Sequence, residues 1–255
     1  NLGIGVLPDY VIEDFPELQR VLPDVESADI PVFIEQASSA GVNHVYDGPW
    51  EYYVGGGGAA FDCNGDRFPD LVLAGGKNNA GLFVNRSLAG GSLQFEASSS
   101  GLPESTSKNV TGFYPIDLNS DGQKDLVVLR VGENLLLEGD GKCNFTKANR
   151  KYGFDGGREW TTAFSAVFEE GNKYPTLAFG NYVDRSAPGS PWGTCHDNFL
   201  FRPSGEVDSI YSNPQTLSPG YCTLSLAFTD WSRSGRQDLR ITNDRQYYRG
   251  GQEDF

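Results

Sequence analysis

A nine-residue acidic segment occurs three times in this chain, each time directly before a short apolar run. The copies span residues 62–70, 117–125 and 230–238, and all follow the pattern Asp-x-(Asn/Ser)-x-(Asp/Ser)-x-x-x-Asp. The first two copies begin 55 residues apart, and the second and third begin 113 residues apart, close to two such periods. Self-similarity at a fixed period indicates a repeat architecture, in which each copy is one supersecondary unit.

A degenerate copy lies where this period requires one. Residues 166–179 keep two apolar runs, but the Asp positions between them are lost. Each unit consists of short apolar runs separated by Gly, Asn, Asp and Ser clusters, which is typical of strands joined by turns. Four strands in about 50–60 residues match one propeller blade. We therefore expect an all-β fold, a β-propeller of four-stranded blades, with about four blade units visible.

The blade pattern begins near residue 30. Residues 1–29 are acidic and contain prolines, and we interpret them as an N-terminal extension of a propeller domain that spans residues 30–255. The chain has no methionine, so we expect its numbering to begin inside a longer precursor. No run of about 18 apolar residues is present, so we expect no membrane span.

The acidic segments predict calcium sites. Three carboxylates at positions 1, 5 and 9 of a tight turn are expected to converge, and each pair about 4 Å apart costs on the order of 4 kcal/mol near a surface. An all-oxygen donor set in a flexible loop suits Ca²⁺ better than Mg²⁺. The predicted ligands are the side chains of Asp62, Asn64, Asp66 and Asp70 with the carbonyl of Phe68, and the side chains of Asp117, Asn119, Asp121 and Asp125 with the carbonyl of Gln123.

The third segment departs from this donor set. Its positions 1, 3, 5 and 9 are Asp230, Ser232, Ser234 and Asp238. Arg233 and Arg236 add positive charge, so we expect weak or no calcium binding there and an Arg–Asp pair in place of the ion.

An EF-hand is the competing interpretation of these segments. It requires Glu at position 12 and flanking helices. Position 12 is Leu73 in the first segment and Val128 in the second, and both lie in apolar runs that are typical of strands.

Cysteines and sequons indicate a secreted glycoprotein. The four cysteines allow three pairings, of which we favour Cys63–Cys143 and Cys195–Cys222 as structural disulfides formed in an oxidising compartment. No CxxC pair is present, so zinc is not expected. The N-x-S/T sequons lie at Asn85, Asn109 and Asn144, which are candidate glycosylation sites.

Net charge and sequence motifs restrict the possible partners and activities of this protein. A net charge of −14 argues against nucleic acid as a partner, because phosphate binding needs a basic footprint. The run Gly55–Gly58 lacks the Lys-Ser/Thr of a phosphate-binding loop, and His44 and His196 read as strand or loop residues. Seven aromatic residues could line a glycan- or protein-binding face or serve in blade packing: Trp50, Tyr52, Tyr53, Trp160, Trp192, Tyr247 and Tyr248.

The repeats resemble the FG-GAP/VCBS repeats of integrin-α-type propellers, with the cartilage acidic protein (ASPIC/UnbV-like) group as the nearest likeness. The segments that carry this resemblance are residues 31–34, 40–42, 57–62, 228–231 and 238–240. The resemblance implies a seven-bladed ring, extracellular or periplasmic, with structural Ca²⁺ on the blade loops. Seven blades need roughly 400 residues at this period, so the chain is a fragment, or another chain completes the ring, or the propeller is smaller.

Two function classes therefore follow from the sequence. The favoured one is a calcium-binding extracellular module for binding, cell adhesion or scaffolding, with a protein or glycan ligand. The alternative is a propeller-based carbohydrate-active enzyme, a polysaccharide lyase or hydrolase, because acidic side chains are abundant.

Overall fold

The structure is a computed structural model that describes residues 31–184, 186, 194–206 and 208–244. The predicted extension at residues 1–29 lies outside this part, as do Trp192, Tyr247 and Tyr248. By its internal contacts the chain divides into a unit Asn1–Gln36 and a unit Ala37–Phe255. All elements below belong to the second unit.

Three four-stranded antiparallel sheets follow one another along the chain. The first consists of β1 (Gly58–Phe61), β2 (Asp70–Leu73), β3 (Gly81–Asn85) and β4 (Phe95–Ser98). The second consists of β5 (Val110–Ile116), β6 (Asp125–Arg130), β7 (Leu135–Gly139) and β8 (Phe145–Lys147). The third contains β9 (Thr161–Val167) and β10 (Thr176–Asn181) and, after a small hairpin of β11 (Val183–Asp184) and β12 (Thr194–Cys195), β13 (Asn198–Phe201) and β14 (Gln215–Leu217).

Of a fourth unit, the described residues contain one hairpin, β15 (Thr223–Thr229) with β16 (Asp238–Asn243). The helical elements of the described residues are a 3₁₀ turn at Trp50–Tyr52 and α1 (Glu104–Ser107). The fold is thus all-β with four-stranded sheets, and the degenerate copy predicted at residues 166–179 is the β9–β10 hairpin of the third sheet.

Both faces of the second sheet are buried. Leu126 and Val128 of β6 pack toward the first sheet, whereas Val127 and Leu129 pack toward the third. Successive side chains of a strand point to opposite faces, so an uninterrupted apolar run is what a strand between two packed sheets requires. The sheets are therefore stacked face to face with a hydrophobic layer in each interval.

The first strands of consecutive units lie side by side in the order β1, β5, β9 and β15. The backbone N–H of Gly57, just before β1, donates to the carbonyl of Thr111 at 3.0 Å. A Cβ at Gly57 would lie 3.1 Å from Gly112 Cα, so the glycine allows this close approach. Farther along, the hydroxyls of Thr111 and Thr162 donate to the carbonyls of Thr161 and Thr223 at 3.1 and 2.6 Å.

Buried asparagine–threonine bonds also join neighbouring units. Asn134 Nδ2 donates to Thr161 Oγ1 at 2.8 Å, and this hydroxyl donates to Asn181 Oδ1 at 2.7 Å. The same arrangement recurs one unit later, where Asn198 Nδ2 donates to Thr223 Oγ1 at 2.8 Å. Because an unpaired buried polar group is costly, these bonds fix how one unit is set against the next.

Two disulfides are present, Cys63–Cys143 and Cys195–Cys222. This is the pairing favoured from the sequence. The first disulfide joins the β1–β2 loop of the first sheet to the β7–β8 turn of the second. Within the described residues, no helix is long and apolar enough to cross a membrane.

Candidate functional site

The three acidic segments form equivalent loops, hereafter loops A (62–70), B (117–125) and D (230–238). Each joins the first strand of its unit to the second. Positions 4 and 6 of every loop have positive φ angles, at Gly65, Arg67, Ser120, Gly122, Arg233 and Gly235. The shared pair of left-handed residues shows that the three loops have one backbone design, although their side chains differ.

The Asp at position 1 organises each turn by accepting backbone hydrogen bonds. In loop B, Asp117 accepts the N–H groups of Asp121 and Gly122 at 3.1 and 2.9 Å. In loop D, Asp230 accepts the equivalent groups of Ser234 and Gly235, both at 2.8 Å. The position 1 carboxylate is therefore part of the turn itself in loop D as well as in loop B.

Asp62 shows the same role in loop A, with four donors. It accepts the N–H groups of Asn64, Gly65, Asp66 and Arg67 at 2.7–3.2 Å. Partial burial raises the pKa of Asp62, but these hydrogen bonds outweigh it and the pKa is lowered overall. Hydrogen bonds to a carboxylate favour its charged form, so the turn keeps Asp62 ionised.

Positions 3 and 5 are bonded to each other in all three loops. The side-chain amide of Asn64 donates to Asp66 at 2.9 Å, and that of Asn119 donates to Asp121 at 2.9 Å. In loop D the hydroxyl of Ser232 donates to that of Ser234 at 3.0 Å. The serines thus preserve the local hydrogen bond and remove one carboxylate and one amide oxygen.

The Asp at position 9 is completely buried in loops A and B. Asp70 accepts the N–H of Cys63 at 2.9 Å and that of Asn85, on the third strand, at 2.8 Å. Asp125 accepts the N–H of Leu118 at 2.8 Å and that of Gly139, again on the third strand, at 3.0 Å. Each carboxylate therefore bridges the loop to the third strand of its sheet.

Burial gives these two carboxyls an unusual proton affinity. Desolvation raises the pKa of Asp125 to about 6, the two N–H groups lower it, and the charges of Asp121 and Glu138 raise it. Desolvation also raises the pKa of Asp70, against its two N–H groups and together with the charges of Asp66 and Asp62. A nearby cation would favour the charged form of both carboxyls.

Loop D lacks this buried carboxylate. Asp238 is exposed and accepts one N–H, from Ser232, at 3.2 Å. In the part of the chain that the structure describes, no ion pair joins Arg233 or Arg236 to Asp230 or Asp238. The expected arginine–aspartate pair is therefore not formed.

The carboxylates of one loop do not converge as closely as we expected. Among the described residues, the one group of three potential ligands with atoms all within 4.8 Å is Cys63, Asp70 and Cys143. These cysteines form a disulfide, so they offer no thiolate. In this arrangement the acids are bonded to backbone N–H groups, four to Asp62 and two to Asp70.

The donor chemistry of loops A and B nevertheless fits a calcium ion. Each loop offers three carboxylates, one amide oxygen and the carbonyl at position 7 (Phe68 or Gln123), all hard oxygen donors. Each oxygen of Asp70 and Asp125 accepts one N–H in the structure and keeps a second lone pair. Loop D offers two carboxylates and two hydroxyls, a poorer donor set.

The degenerate third unit supports the special status of position 9. Thr176 begins β10 at the place where Asp70 and Asp125 begin β2 and β6, and it is equally buried. Its hydroxyl donates to Glu169 Oε1 at 2.7 Å. This unit has Phe168 and Asn172 at positions 1 and 5, and its buried position 9 aspartate is replaced by a neutral residue.

Loop B has polar neighbours that the sequence did not indicate. Glu138 Oε1 accepts hydrogen bonds from Lys151 Nζ at 2.6 Å, Tyr152 OH at 2.5 Å and Asn119 Nδ2 at 3.4 Å. The hydroxyl of Ser120 donates to the carbonyl of Lys173 at 2.9 Å. Hydrogen bonds therefore connect loop B to β7 and to the loop between β9 and β10.

The three sequons differ in their surroundings. Asn85 is 6% exposed, and its side-chain nitrogen donates to the carbonyl of Pro69 at 2.9 Å, so the folded structure leaves no room for a glycan there. Asn109 accepts a hydrogen bond from the Tyr52 hydroxyl at 2.9 Å. Asn144 is exposed, and Asn109 and Asn144 remain predicted glycosylation sites.

The remaining aromatic and histidine candidates differ in burial and in their neighbours. Tyr52 and Trp160 are buried, whereas Tyr53 is exposed. His44 Nε2 lies 2.7 Å from the carbonyl oxygen of Ala74. His196 Nε2 lies 4.0 Å from Asp184 Oδ1, beyond hydrogen-bonding distance.

Comparison with known families identifies the repeat. Residues 62–128 match the FG-GAP-like repeat family, a span that begins at loop A and ends in β6, just after loop B. This match supports the assignment of these residues to an integrin-α-like FG-GAP repeat family. Repeats of this kind are generally extracellular binding or adhesion modules. No curated protein matches the chain.

Proposed function

We propose that this protein is an extracellular calcium-binding β-propeller module that binds a protein or glycan partner, as in cell adhesion or scaffolding. The observation that carries the proposal is the repeated loop design of A and B. In both, the same donor types lie on the same backbone at the start of the second strand, within the residues that match the FG-GAP-like repeat. Their buried ninth-position carboxylates suit a cation, which would favour their charged form.

Calcium would be held by the side chains at positions 1, 3, 5 and 9 and by the carbonyl at position 7 of each loop. The bound ion supplies charge neutralisation at a place where the fold buries a carboxylate. The chain's own residues do the rest. Asp62 and Asp117 shape the turns, and Asp70 and Asp125 connect the loops to the third strands.

Calorimetric titration of chelator-treated protein with calcium tests this proposal. We expect two ions per chain, with Kd values on the order of 10⁻⁴–10⁻³ M or tighter, as in extracellular modules and sensors. Asp66→Ser and Asp121→Ser copy the serine that loop D carries at position 5, and each should remove one ion. Ser234→Ala is the matched control and should leave two. Absence of binding, or two ions retained in the double variant, would contradict the proposal.

The sheets are, in this proposal, consecutive blades of a propeller. The side-by-side order of β1, β5, β9 and β15 and the face-to-face packing of the sheets support it. A full ring of seven blades, completed with another chain where needed, and the likeness to the cartilage acidic protein group belong to the proposal as well. Native mass spectrometry of the isolated protein tests for a partner chain.

Two disulfides are consistent with an oxidising compartment, and we propose secretion to the cell exterior or the periplasm. The enzymatic alternative is tested by incubating the protein with acidic polysaccharides and measuring chain cleavage. The His196–Asp184 pair is the place to begin, because it brings an imidazole within 4.0 Å of a carboxylate. Turnover that His196→Ala abolishes would favour the enzyme.

A further inference from the structure

A small cavity opens between the second and third sheets, at the end of the strands opposite to loop B. Its volume is about 150 Å³. Its walls come from the turn after β6, the segment that joins β8 to β9, strands β10 and β13, and the end of the loop before β14. All four strands of both sheets are described. The cavity therefore lies between two neighbouring sheets and not on a face where a further sheet would pack.

Phenylalanine rings give this cavity an apolar wall. Phe179 of β10 is paired in register with Phe199 of β13, and Phe201 follows two residues later, so these three side chains lie on one face of the third sheet. Phe154, from the joining segment, packs on Phe201 and Phe179 with ring centroids 4.9 and 5.3 Å apart. Phe199 is the least buried of the four. The core between the two sheets thus continues into the cavity as aromatic surface.

Two carboxylates of the joining segment, Asp155 and Glu159, line the same cavity. Asp155 Oδ1 accepts the N–H of Gly157 at 3.1 Å, and Glu159 Oε2 accepts the N–H of Arg158 at 2.6 Å. Gly157 has a φ of 70°, and a Cβ there would meet Glu159 Oε2, so glycine leaves room for this carboxylate. Among the residues that the structure describes, neither acid takes part in an ion pair. Their charges are therefore available to a ligand.

The one amide side chain of the wall, that of Asn134, is already satisfied. Its Oδ1 accepts the N–H of Arg130 at 3.0 Å, its Nδ2 donates to Thr161 Oγ1 at 2.8 Å, and its backbone N–H donates to the carbonyl of Gly156 at 2.9 Å. The lining residues include no lysine, arginine or histidine. The cavity thus offers a ligand mainly aromatic surface and negative charge.

We propose that this cavity binds a quaternary ammonium group, such as that of choline or of a trimethylated lysine side chain. The methyl groups contact the phenylalanine rings, which attract a cation electrostatically, and Asp155 and Glu159 balance the charge. A quaternary ammonium has no N–H to satisfy, whereas burying a primary ammonium against apolar rings would leave donors unpaired. The site goes beyond the proposed calcium-binding role and does not depend on it.

Size and charge both favour this ligand class. A cavity of about 150 Å³ admits a group of roughly benzene size, whereas pockets for drug-sized ligands begin at about 300 Å³. One trimethylammonium group is of the smaller kind. The net charge of −14 attracts cations to the protein, and a neutral apolar ligand would gain nothing from the two carboxylates.

Isothermal titration of the full chain with choline chloride tests the proposal. The comparison ligand is the neutral alcohol in which a tert-butyl group replaces the trimethylammonium group, because the two molecules have the same shape and differ in charge. We expect choline to bind with a Kd on the order of 1 mM, as a ligand of few atoms allows. The neutral alcohol should bind about tenfold more weakly or less, the worth of a desolvated cation–π contact.

Two variants of the cavity separate its charge from its aromatic surface. Glu159→Gln should weaken choline binding about tenfold and leave the affinity for the neutral alcohol unchanged, a difference that a merely structural role would not produce. Phe199→Leu should weaken choline binding by about the same factor, because it removes the aromatic ring and keeps an apolar side chain. The same substitutions at exposed positions of the third unit, Glu170→Gln and Phe168→Leu, are the matched controls and should change neither affinity.

Three outcomes would overturn the inference: no binding of choline at tens of millimolar, equal affinities for choline and the neutral alcohol, or unchanged choline affinity in Glu159→Gln. If Phe199→Leu fails to fold, Glu159→Gln with the two ligands still decides. A parallel titration with acetylated trimethyllysine amide distinguishes the source of the group. Tighter binding of choline supports a free small molecule, and tighter binding of the lysine derivative supports a side chain of a partner protein.

The choline titration is repeated with calcium and with chelator, and its Kd should be the same in both. Loss of choline binding while two calcium ions still bind would reject this inference alone. Choline binding without calcium binding would reject the calcium sites alone.

Discussion

Loops B and D share a backbone and differ in what their flanking residues do. Both have left-handed residues at positions 4 and 6, and in both the position 1 Asp accepts the N–H groups of positions 5 and 6. In loop B the position 9 Asp is buried and reaches Gly139 on the third strand. In loop D the equivalent Asp238 is exposed. The turn therefore forms without a buried carboxylate. Where the position 9 carboxylate is buried, as in loop B, it is the third strand that covers it.

Position 2 completes the comparison. This residue is a disulfide cysteine in loop A, a core leucine in loop B and an exposed tryptophan in loop D. The same turn is thus held by a covalent bond in loop A and by apolar packing in loop B, whereas in loop D its second residue is not buried.

The largest effect is expected from the covalent attachment of loop A. Cys63→Ala with Cys143→Ala opens a cross-link between residues 80 apart, and the chain-entropy estimate for such a loop is about 4.5 kcal/mol of unfolding free energy. Urea denaturation with and without the disulfide measures it. A loss below about 1 kcal/mol would show that packing alone secures loop A.

Loss of apolar packing in loop B should come next. Leu118→Ala empties a fully buried site in the layer between the second and third sheets, and we expect about 3 kcal/mol of destabilisation. The equivalent change in loop D, Trp231→Ala, should stay within about 0.5 kcal/mol. Equal losses in urea denaturation would mean that loop D is packed as loop B is.

The position 9 carboxylates should differ in the same direction. Asp125→Ala leaves the N–H groups of Leu118 and Gly139 without their acceptor, and we expect about 2 kcal/mol of destabilisation in chelator. Asp238→Ala, at an exposed position, should cost less than about 0.5 kcal/mol. Chemical denaturation of both variants measures the two losses of unfolding free energy. A larger loss for Asp238→Ala than for Asp125→Ala would contradict the role given to the third strand.

The smallest effect is a pH dependence that loop B should show without calcium. The pKa of Asp125 is raised from 3.8 to about 6 in the folded protein, so this group stabilises the fold below about pH 4 and its contribution is lost as the pH rises through 6. The pKa values of Asp62 and Asp121 are lowered, so their stabilising contributions are present at neutral pH and are lost only as the pH falls below 4.

The melting temperature in chelator should therefore fall between pH 5 and pH 7, and Asp125→Asn should reduce that slope. Saturating calcium should reverse the dependence, because metal ligands must be deprotonated to bind. A slope that Asp125→Asn leaves intact would assign the titration to another group.

The sequence periodicity was sufficient to predict the loops, the strands around them and the degenerate third unit. These features follow from local rules, since an acidic turn and a strand require particular residue types at fixed spacings. The favoured cysteine pairing also agrees with the structure. The convergence of the carboxylates was overestimated, because sequence spacing does not reveal which backbone N–H groups are available to each acid.

Other features depended on residues distant in the chain. Asn85 has the sequon of a glycosylation site, yet its side chain is bonded to Pro69 and is buried. The link from Asn134 to Thr161 joins two units across 27 residues, and no short motif announces it. Glu138, which bonds to Asn119 of loop B, is likewise an ordinary acid in the sequence.

The amino-acid sequence by itself determined that turns of one kind recur at a fixed interval and that apolar strands flank them, because both depend on neighbours along the chain. The tertiary structure decided which ninth-position Asp is buried, which sequon is inaccessible and which second-position residue faces solvent. Those outcomes depend on whether another strand or sheet covers the position, and burial by a distant segment is a property that no local pattern contains.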